Sequence, residues 1–220
     1  MDIKAINLDF YGTLVDWLPI WVKVSDIIVT ENKLDVSSND FALEWRGIQR
    51  DMLSKEKFIP YKQNIKEALV QLCQKYNIKE NDYSDILFNK WEEINPCPEV
   101  PELLKKLKEK YKLAICSNSA RDLFDVCANK LPIIFDKVFI SDETKVNKPH
   151  SKMYEIAIQE VGVPKENILH IASSQMDIKG ATKAGLKVCW INRQKEELAI
   201  DTPTPDFEIH KLTELLEIFK

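Results

Sequence analysis

Five short apolar runs stand out along the chain: Ile3 to Leu8, Leu113 to Cys116, Val138 to Ile140, Ile168 to Ala172 and Val188 to Ile191. They are rich in β-branched residues and lack the alternation of a strand with one wet face, so they predict strands covered on both sides. Helical spacing separates the later runs. Pro101 to Tyr111 sets Leu103, Leu104 and Leu107 on one face with lysines outward. Ser151 to Val161 does the same with Tyr154, Ile156, Ala157 and Val161, and Asp177 to Ala184 runs into Gly185 as a stop. Strand and helix alternating through short connections predict right-handed crossovers. The expected fold class is α/β, a doubly wound, mainly parallel, Rossmann-like sheet.

About a hundred residues between the first two runs break this rhythm. Trp17 to Trp91 reads as mostly helical, with Trp45, Met52, Leu53, Leu69, Leu72, Ile86, Leu87 and Trp91 at amphipathic spacing. An insertion at that point of the chain would sit over the carboxyl end of the first strand as a lid. Asn95-Pro96-Cys97-Pro98 predicts a stiff return, because two prolines disfavour helix there. The expected division is therefore a core of residues 1–15 and 97–220 with a helical cap of 16–96. Pro203 and Pro205 mark a loop, and Leu212 to Phe219 a closing helix.

Composition narrows the function classes. With 220 residues, 45% of them hydrophobic and 30% charged, the chain reads as a soluble globular protein with ample core. A net charge of -4 argues against nucleic acid as a partner, and Lys105, Lys106, Lys108 and Lys110 read as a solvated helix face. No apolar run approaches the roughly 18 residues of a membrane span. The N-terminal segment carries Asp2 and Lys4 and does not resemble a cleavable signal. Five cysteines without Cys-x-x-Cys spacing argue against a disulfide framework or a zinc site and for a reducing cytoplasm. Three scattered histidines, His150, His170 and His210, make a histidine metal cluster improbable.

Candidate chemistry gathers where the runs end. Asp9 closes the first run and opens Asp9-Phe10-Tyr11-Gly12-Thr13-Leu14; alone, it would read as a cap on the next element. Ser117-Asn118-Ser119, Lys148-Pro149 and Ser173-Ser174-x-x-Asp177 fall at other predicted strand ends. Ligands of parallel α/β sheets bind outside those ends. Together the segments supply a nucleophile, hydroxyl and amide donors, a cation and a second carboxylate. An aspartate nucleophile needs a positive neighbour to keep it ionised and donors to orient it.

This set resembles the haloacid dehalogenase superfamily over nearly the whole chain, cap included. Most of that superfamily carries Asp-x-Asp, the second Asp protonating the leaving alcohol; here the position is Tyr11. General acid–base assistance is worth roughly 10²- to 10⁴-fold, whereas a departing halide needs no proton. Asp-x-Tyr-Gly-Thr-Leu is similar to the L-2-haloacid dehalogenase branch. The resemblance implies Asp9 as nucleophile, with Thr13 and Lys148 holding its carboxylate and Ser117 donating to it. It further implies Arg46, after Trp45, as the substrate-holding and halide-receiving group, Asn118 as a halide-contacting amide and Tyr11 as a pocket wall. Asp177, with Ser173 and Ser174, would orient the hydrolytic water. Cys189 to Arg193 is also similar to the family but reads more simply as a packed strand and a surface turn.

The fourth segment departs from the branch. Dehalogenases tend to read Ser-Ser-Asn-x-x-Asp, and here Ser173-Ser174-Gln175-Met176-Asp177 is one residue shorter, its Asn replaced by Gln175 or lost. Ser173 stands where phosphatases place a metal-binding carboxylate, so no metal and no cofactor is expected. Arg50 and Tyr61 occupy places where dehalogenases often carry apolar pocket residues, and Tyr61 is counted among the substrate-binding candidates. The leading expectation is hydrolysis of a short 2-haloalkanoic acid. A Mg²⁺-dependent phosphohydrolase and a non-catalytic binder of small acids are the alternatives. A small-molecule substrate is the expected partner, and a homodimer is what the family implies.

Overall fold

The first apolar run forms strand β1 (Ala5–Leu8), every residue of it buried. The computed structural model describes residues 2–55, 57–79 and 82–218. A two-residue strand, β2 (Val15–Asp16), pairs antiparallel with β3 (Asn95–Pro96). The remaining runs give β4 (Lys112–Ser117), β5 (Lys137–Ile140), β6 (Ile168–Ala172) and β7 (Lys187–Ile191), followed by β8 (Phe207–Ile209). Six strands make one sheet in the order β5-β4-β1-β6-β7-β8, with every pairing parallel. Counted along the chain this is the doubly wound order, and its winding reverses between β1 and β6. Asp9 and Ser173 are the first residues beyond those two strands.

Helices α1 (Leu18–Glu31), α2 (Ser38–Leu53), α3 (Tyr61–Lys75) and α4 (Tyr83–Asn89) occupy the stretch between β2 and β3. Ser37 caps α2 by accepting from the Asp40 amide at 3.0 Å. The Trp45 indole N–H donates to the Ile65 carbonyl at 3.0 Å and locks α2 to α3. Hydrogen bonds that tie this layer to the core include Tyr61 N–H donating to Asp142 Oδ1 at 2.8 Å, Lys62 donating to Asp122, and His150 Nε2 lying 2.9 Å from the Lys55 carbonyl.

The other helices are α5 (Val100–Lys108), α6 (Arg121–Ala128), α7 (Ser141–Thr144), α8 (Ser151–Val161), α9 (Gln175–Lys183) and α10 (Leu215–Ile218). The sheet is covered on both faces, as its unalternating strands require. Ile6, Leu8, Leu113 and Ile115 face one core cluster, which continues into α1 to α3. Ala5, Ala114 and Cys116 face the other, beneath Met153 and Tyr154 of α8 and Ile178 of α9. Gly162, at φ 72°, ends α8 in the left-handed region that side chains avoid. Among the described residues no helix is long and apolar enough to cross a membrane.

Three elements differ from expectation. The first strand begins at Ala5, although Lys4 already donates to the Asn167 carbonyl at 2.8 Å. The expected closing helix is a 3₁₀ turn, Leu212–Glu214, followed by the short α10, and Phe219 lies outside the described residues. The edge strand β8 is three residues long with Glu208 exposed, too short for a periodic signal.

Candidate active site

Asp9 extends β1 by one bond, its N–H donating to the Ile171 carbonyl of β6 at 2.9 Å. The turn after it brings Thr13 Oγ1 back to donate to Asp9 Oδ2 at 2.8 Å. Gly12 makes that turn at φ 87°, and a Cβ there would stand 3.0 Å from Ser173 Oγ. Its absence lets Ser173 approach, with Oγ 3.5 Å from Asp9 Oδ2. From outside, Arg193 donates to the Thr13 carbonyl at 3.1 Å and pairs with Glu99. Arg193 lies in the expected turn after the packed strand, and its half-buried guanidinium clamps the nucleophile loop.

Lys148 reaches the other Asp9 oxygen. Its Nζ donates to Asp9 Oδ1 and to Asp177 Oδ2, both at 2.7 Å, and all three side chains are at most 10% exposed. Burial alone would depress the Lys148 pKa; Asp177 and Asp9 reverse that and hold it far above the ordinary lysine value. The ammonium is thus permanent at neutral pH. Burial likewise pushes Asp177 up, but Lys148 and then His170 outweigh it and keep the carboxyl well below the usual range. The Cys116 thiol beneath them is pushed by burial up to about 12 and stays inert.

Asp177 is held from three sides. Besides Lys148, it accepts from Tyr154 OH of α8 and from His170 Nε2 of β6 at 3.0 Å, both on Oδ1. Asn7 of β1 sits opposite His170 in the strand register, and its amide donates to Nδ1 at 3.1 Å. With Nδ1 accepting, the imidazole proton lies on Nε2, directed at Asp177. Asn7 and His170 were missed at the level of sequence. Each is one polar residue within an apolar run, and only the register of adjacent strands brings them together.

Tyr11 stands where an acid would be. Its oxygen accepts from the Trp91 indole at 3.2 Å and lies 3.2 Å from Ser119 Oγ. Ser119 directs its own proton to the Ala120 carbonyl, so the phenol proton goes to Ser119. Burial raises the Tyr11 pKa well above 10. Tyr61 stacks on Tyr11 with centroids 6.3 Å apart and is itself fully buried. It backs Tyr11 and is not among the residues lining the cavity.

The cavity beside Asp9 measures about 60 Å³ and is lined by Tyr11, Arg46, Arg50, Ser117, Asn118, Lys148, Ser174 and Asp177, with Leu53, Pro149 and Met176 as apolar wall. Asn118 grips the Lys148 backbone, accepting from its N–H at 2.8 Å and donating to its carbonyl at 3.0 Å. Ser117 Oγ is buried with no hydrogen-bond partner, so it does not donate to Asp9 as expected and is left for a ligand. Ser174 precedes α9 without capping it. Gln175 turns away, donating to the Glu197 carbonyl at 2.9 Å and accepting from Ala199 N–H at 2.8 Å, so the family amide is absent from the site. Arg46 donates to Gln49 and lies over Trp17, 5.5 Å from the ring centre.

The profile of the haloacid dehalogenase-like hydrolase family matches residues 6–191. The chain belongs to this family. The (S)-2-haloacid dehalogenase 2 of Pseudomonas sp. (strain CBS-3) is 30% identical over 224 residues, spanning 97% of this chain and 94% of that one. The (S)-2-haloacid dehalogenase of Pseudomonas sp. (strain YL) is 27% identical over 228 residues, spanning 99% and 95%. An L-2-haloacid dehalogenase from Xanthobacter autotrophicus, solved with chloropropionic acid covalently bound, superposes with a TM-score of 0.83 over 99% of this chain and 98% of that one. At 21% identity that likeness speaks for the fold.

Phosphatases of the superfamily hold Mg²⁺ between carboxylates, and this dehalogenase-like site does not fit the ion. Mg²⁺ takes octahedral oxygen ligands, usually with one or two carboxylates. Here the Lys148 ammonium lies between Asp9 and Asp177 and occupies one oxygen of each. Ser173 adds only a neutral hydroxyl. Among the described residues no group of three His, Cys, Asp or Glu is arranged to hold a metal.

Proposed function

We propose that the protein is a hydrolytic dehalogenase, converting a short-chain 2-haloalkanoic acid to a 2-hydroxy acid and halide through an ester on Asp9. One observation carries this reading. The group two residues after the nucleophile is a buried phenol facing Ser119, so no carboxylic acid stands at the position from which the leaving group of the first displacement would be protonated. A halide leaves without a proton.

An Asp9 oxygen attacks C2 from the face opposite the halide; the new C–O bond forms as the C–X bond breaks, and the electron pair leaves with the halide. Thr13 and Lys148 fix the carboxylate for in-line approach. Arg46, whose guanidinium offers a rigid fork, holds the substrate carboxylate and draws off the halide together with the remaining Asn118 N–H. The free Ser117 and Ser174 hydroxyls complete the carboxylate's shell. Water then attacks the Asp9 carboxyl carbon and the bond from that carbon to the former Asp9 oxygen breaks; one water proton passes to the departing alkoxide to give the hydroxy acid, and the other leaves to solvent as Asp9 returns to its carboxylate. Asp177 with Ser173 orients that water; held well below the usual carboxylate range, Asp177 acts by position and charge more than by basicity. Residues 16–96 serve as the cap that excludes bulk water, over a core of 1–15 and 97–220. No cofactor takes part, and five buried cysteines without a disulfide among the described residues suit the cytoplasm.

The test is single turnover of L-2-chloropropionate in ¹⁸O-water, with and without EDTA, reading halide and the mass of the Asp9 peptide. Heavy oxygen in Asp9 with EDTA-insensitive halide release is expected. Mg²⁺-dependent release of phosphate from an aryl phosphate, without halide release, would sink the reading, and inertness towards both would leave a binding protein.

A further inference from the structure

The chain has four arginines, and they fall into two pairs. Arg121 is matched by Glu143 and Asp125, and Arg193 by Glu99. Arg46 and Arg50 join no ion pair among the described residues, yet both line the cavity that holds Asp9. They lie four apart on α2, a spacing that places two side chains on one helix face and makes like charges repel. Burial of the Arg50 head group, followed by the charge of Arg46, lowers the Arg50 pKa. Asp9 and Asp177 line the same cleft but are engaged by Lys148, and among the described residues no carboxylate pairs with either guanidinium, so an entering anion meets two uncommitted cations.

The two are not equivalent. Arg46 is fixed by Gln49 and by the Trp17 ring, deep beside the reacting centre. Among the described residues Arg50 has no hydrogen-bond partner for its side chain, and it is the more exposed of the two. One carboxylate of a haloacid satisfies Arg46 and leaves Arg50 unmatched. Leu53, less than one turn further along α2, and Met176 supply an apolar wall between floor and rim. The small cavity leaves room for only a few carbons there.

We propose that Arg50 forms a second anion subsite, which selects a 2-halodicarboxylate over a 2-haloalkanoic monoacid. The inference rests on the dehalogenase reading for its chemistry but not for its binding. C2 lies at Asp9, the first carboxylate at Arg46 with Ser117, and the distal carboxylate reaches Arg50 at the mouth. A charge-assisted contact of this kind is worth roughly tenfold to a hundredfold in affinity.

The test compares kcat/KM for 2-chlorosuccinate and 2-chloropropionate in the wild type, Arg50→Leu and Arg50→Lys. The wild type favours the diacid, Arg50→Leu loses roughly tenfold or more of that preference through KM, and Arg50→Lys keeps part of it. Calorimetry with the unreactive succinate and propionate reads the subsite without chemistry: succinate binds more tightly to the wild type, and Arg50→Leu removes the difference. Equal affinity for the two acids, or a preference unmoved by Arg50→Leu, overturns the proposal. Halide release from neither haloacid, with the succinate preference intact, overturns the dehalogenase reading and leaves the subsite standing.

Discussion

Replacing Lys148 by Met isolates the charge balance on which the site depends. The ammonium lies 2.7 Å from each of two carboxylates, in side chains that are 8%, 10% and 4% exposed. At an effective dielectric of 20, each contact is worth about 6 kcal/mol before desolvation. Most of that gain offsets the removal of three charges from water, so the native cluster contributes little net stability. Removing only the cation is different, because two buried like charges remain. The expected cost is about 3–5 kcal/mol near neutral pH, a fall of roughly 6–20 °C in Tm for a chain of this size.

The dependence on pH gives the sharper test. Asp177 has a depressed pKa, so its contribution is present above the unfolded carboxylate value and is lost only as pH falls through the folded one, in strong acid. Lys148 has a raised pKa; its contribution is present below the unfolded lysine value and is lost only at high pH. Neither changes between about pH 5 and pH 8 in the wild type. In Lys148→Met, burial acts on Asp177 without its main counterion and lifts the folded pKa above the unfolded one. The variant therefore gains stability on going from about pH 7 to about pH 5. Urea denaturation at both values reads this directly. A variant within about 1 kcal/mol of wild type at neutral pH, or with the wild-type dependence on pH, refutes the reasoning.

Tyr11→Phe orphans the buried Trp91 N–H and costs about 1–3 kcal/mol in unfolding experiments, while dehalogenation stays within a few-fold; a loss of 10²-fold or more would make the phenol an acid after all. Gly180→Ala places a Cβ 2.4 Å from the Pro149 carbonyl and 2.5 Å from Tyr154 Cε2. About 1–3 kcal/mol of stability is lost, with kcat falling as Tyr154 and the Lys148 loop shift, and unchanged kinetics would show that neither moved. His170→Leu removes a donor from Asp177 and lowers kcat, whereas His170→Gln, whose amide reaches the same oxygen, restores most of it; equal activity of the two variants would exclude orientation by His170.

Much of this arrangement was legible in the sequence because of how parallel sheets are built. Five strands were found within two residues of their ends, since a strand covered on both faces has to be apolar throughout. Asp9, Ser117 and Ser173 could be placed together from those ends alone, because a doubly wound sheet brings its carboxyl ends to one edge. What stayed hidden depends on register and side-chain direction. Asn7 beside His170, Gln175 turned to Glu197 and Arg193 clamped on Thr13 are separated by 22 residues or more, and no local period reports them. Tyr61 shows the same dependence on side-chain direction, since it gives its face to Tyr11.

The two carboxylates also determine which chemical step should be slow. Before attack, Asp9, Asp177 and Lys148 together hold an excess negative charge in a buried place, matched only by the more distant arginines. Ester formation removes the charge of Asp9 and leaves Lys148 and Asp177 as a balanced pair, so alkylation relieves the imbalance and hydrolysis restores it. The Asp177 carboxylate, tied by Lys148, Tyr154 and His170, is also a weak base for the attacking water. Hydrolysis should therefore limit turnover and the ester should accumulate. Rapid quenching in excess substrate, followed by intact-protein mass measurement, is expected to show near-stoichiometric adduct with a burst of halide of the same size. Linear halide release from the first turnover, with unmodified protein throughout, would mean that the displacement itself is slow and that relief of buried charge does not drive it.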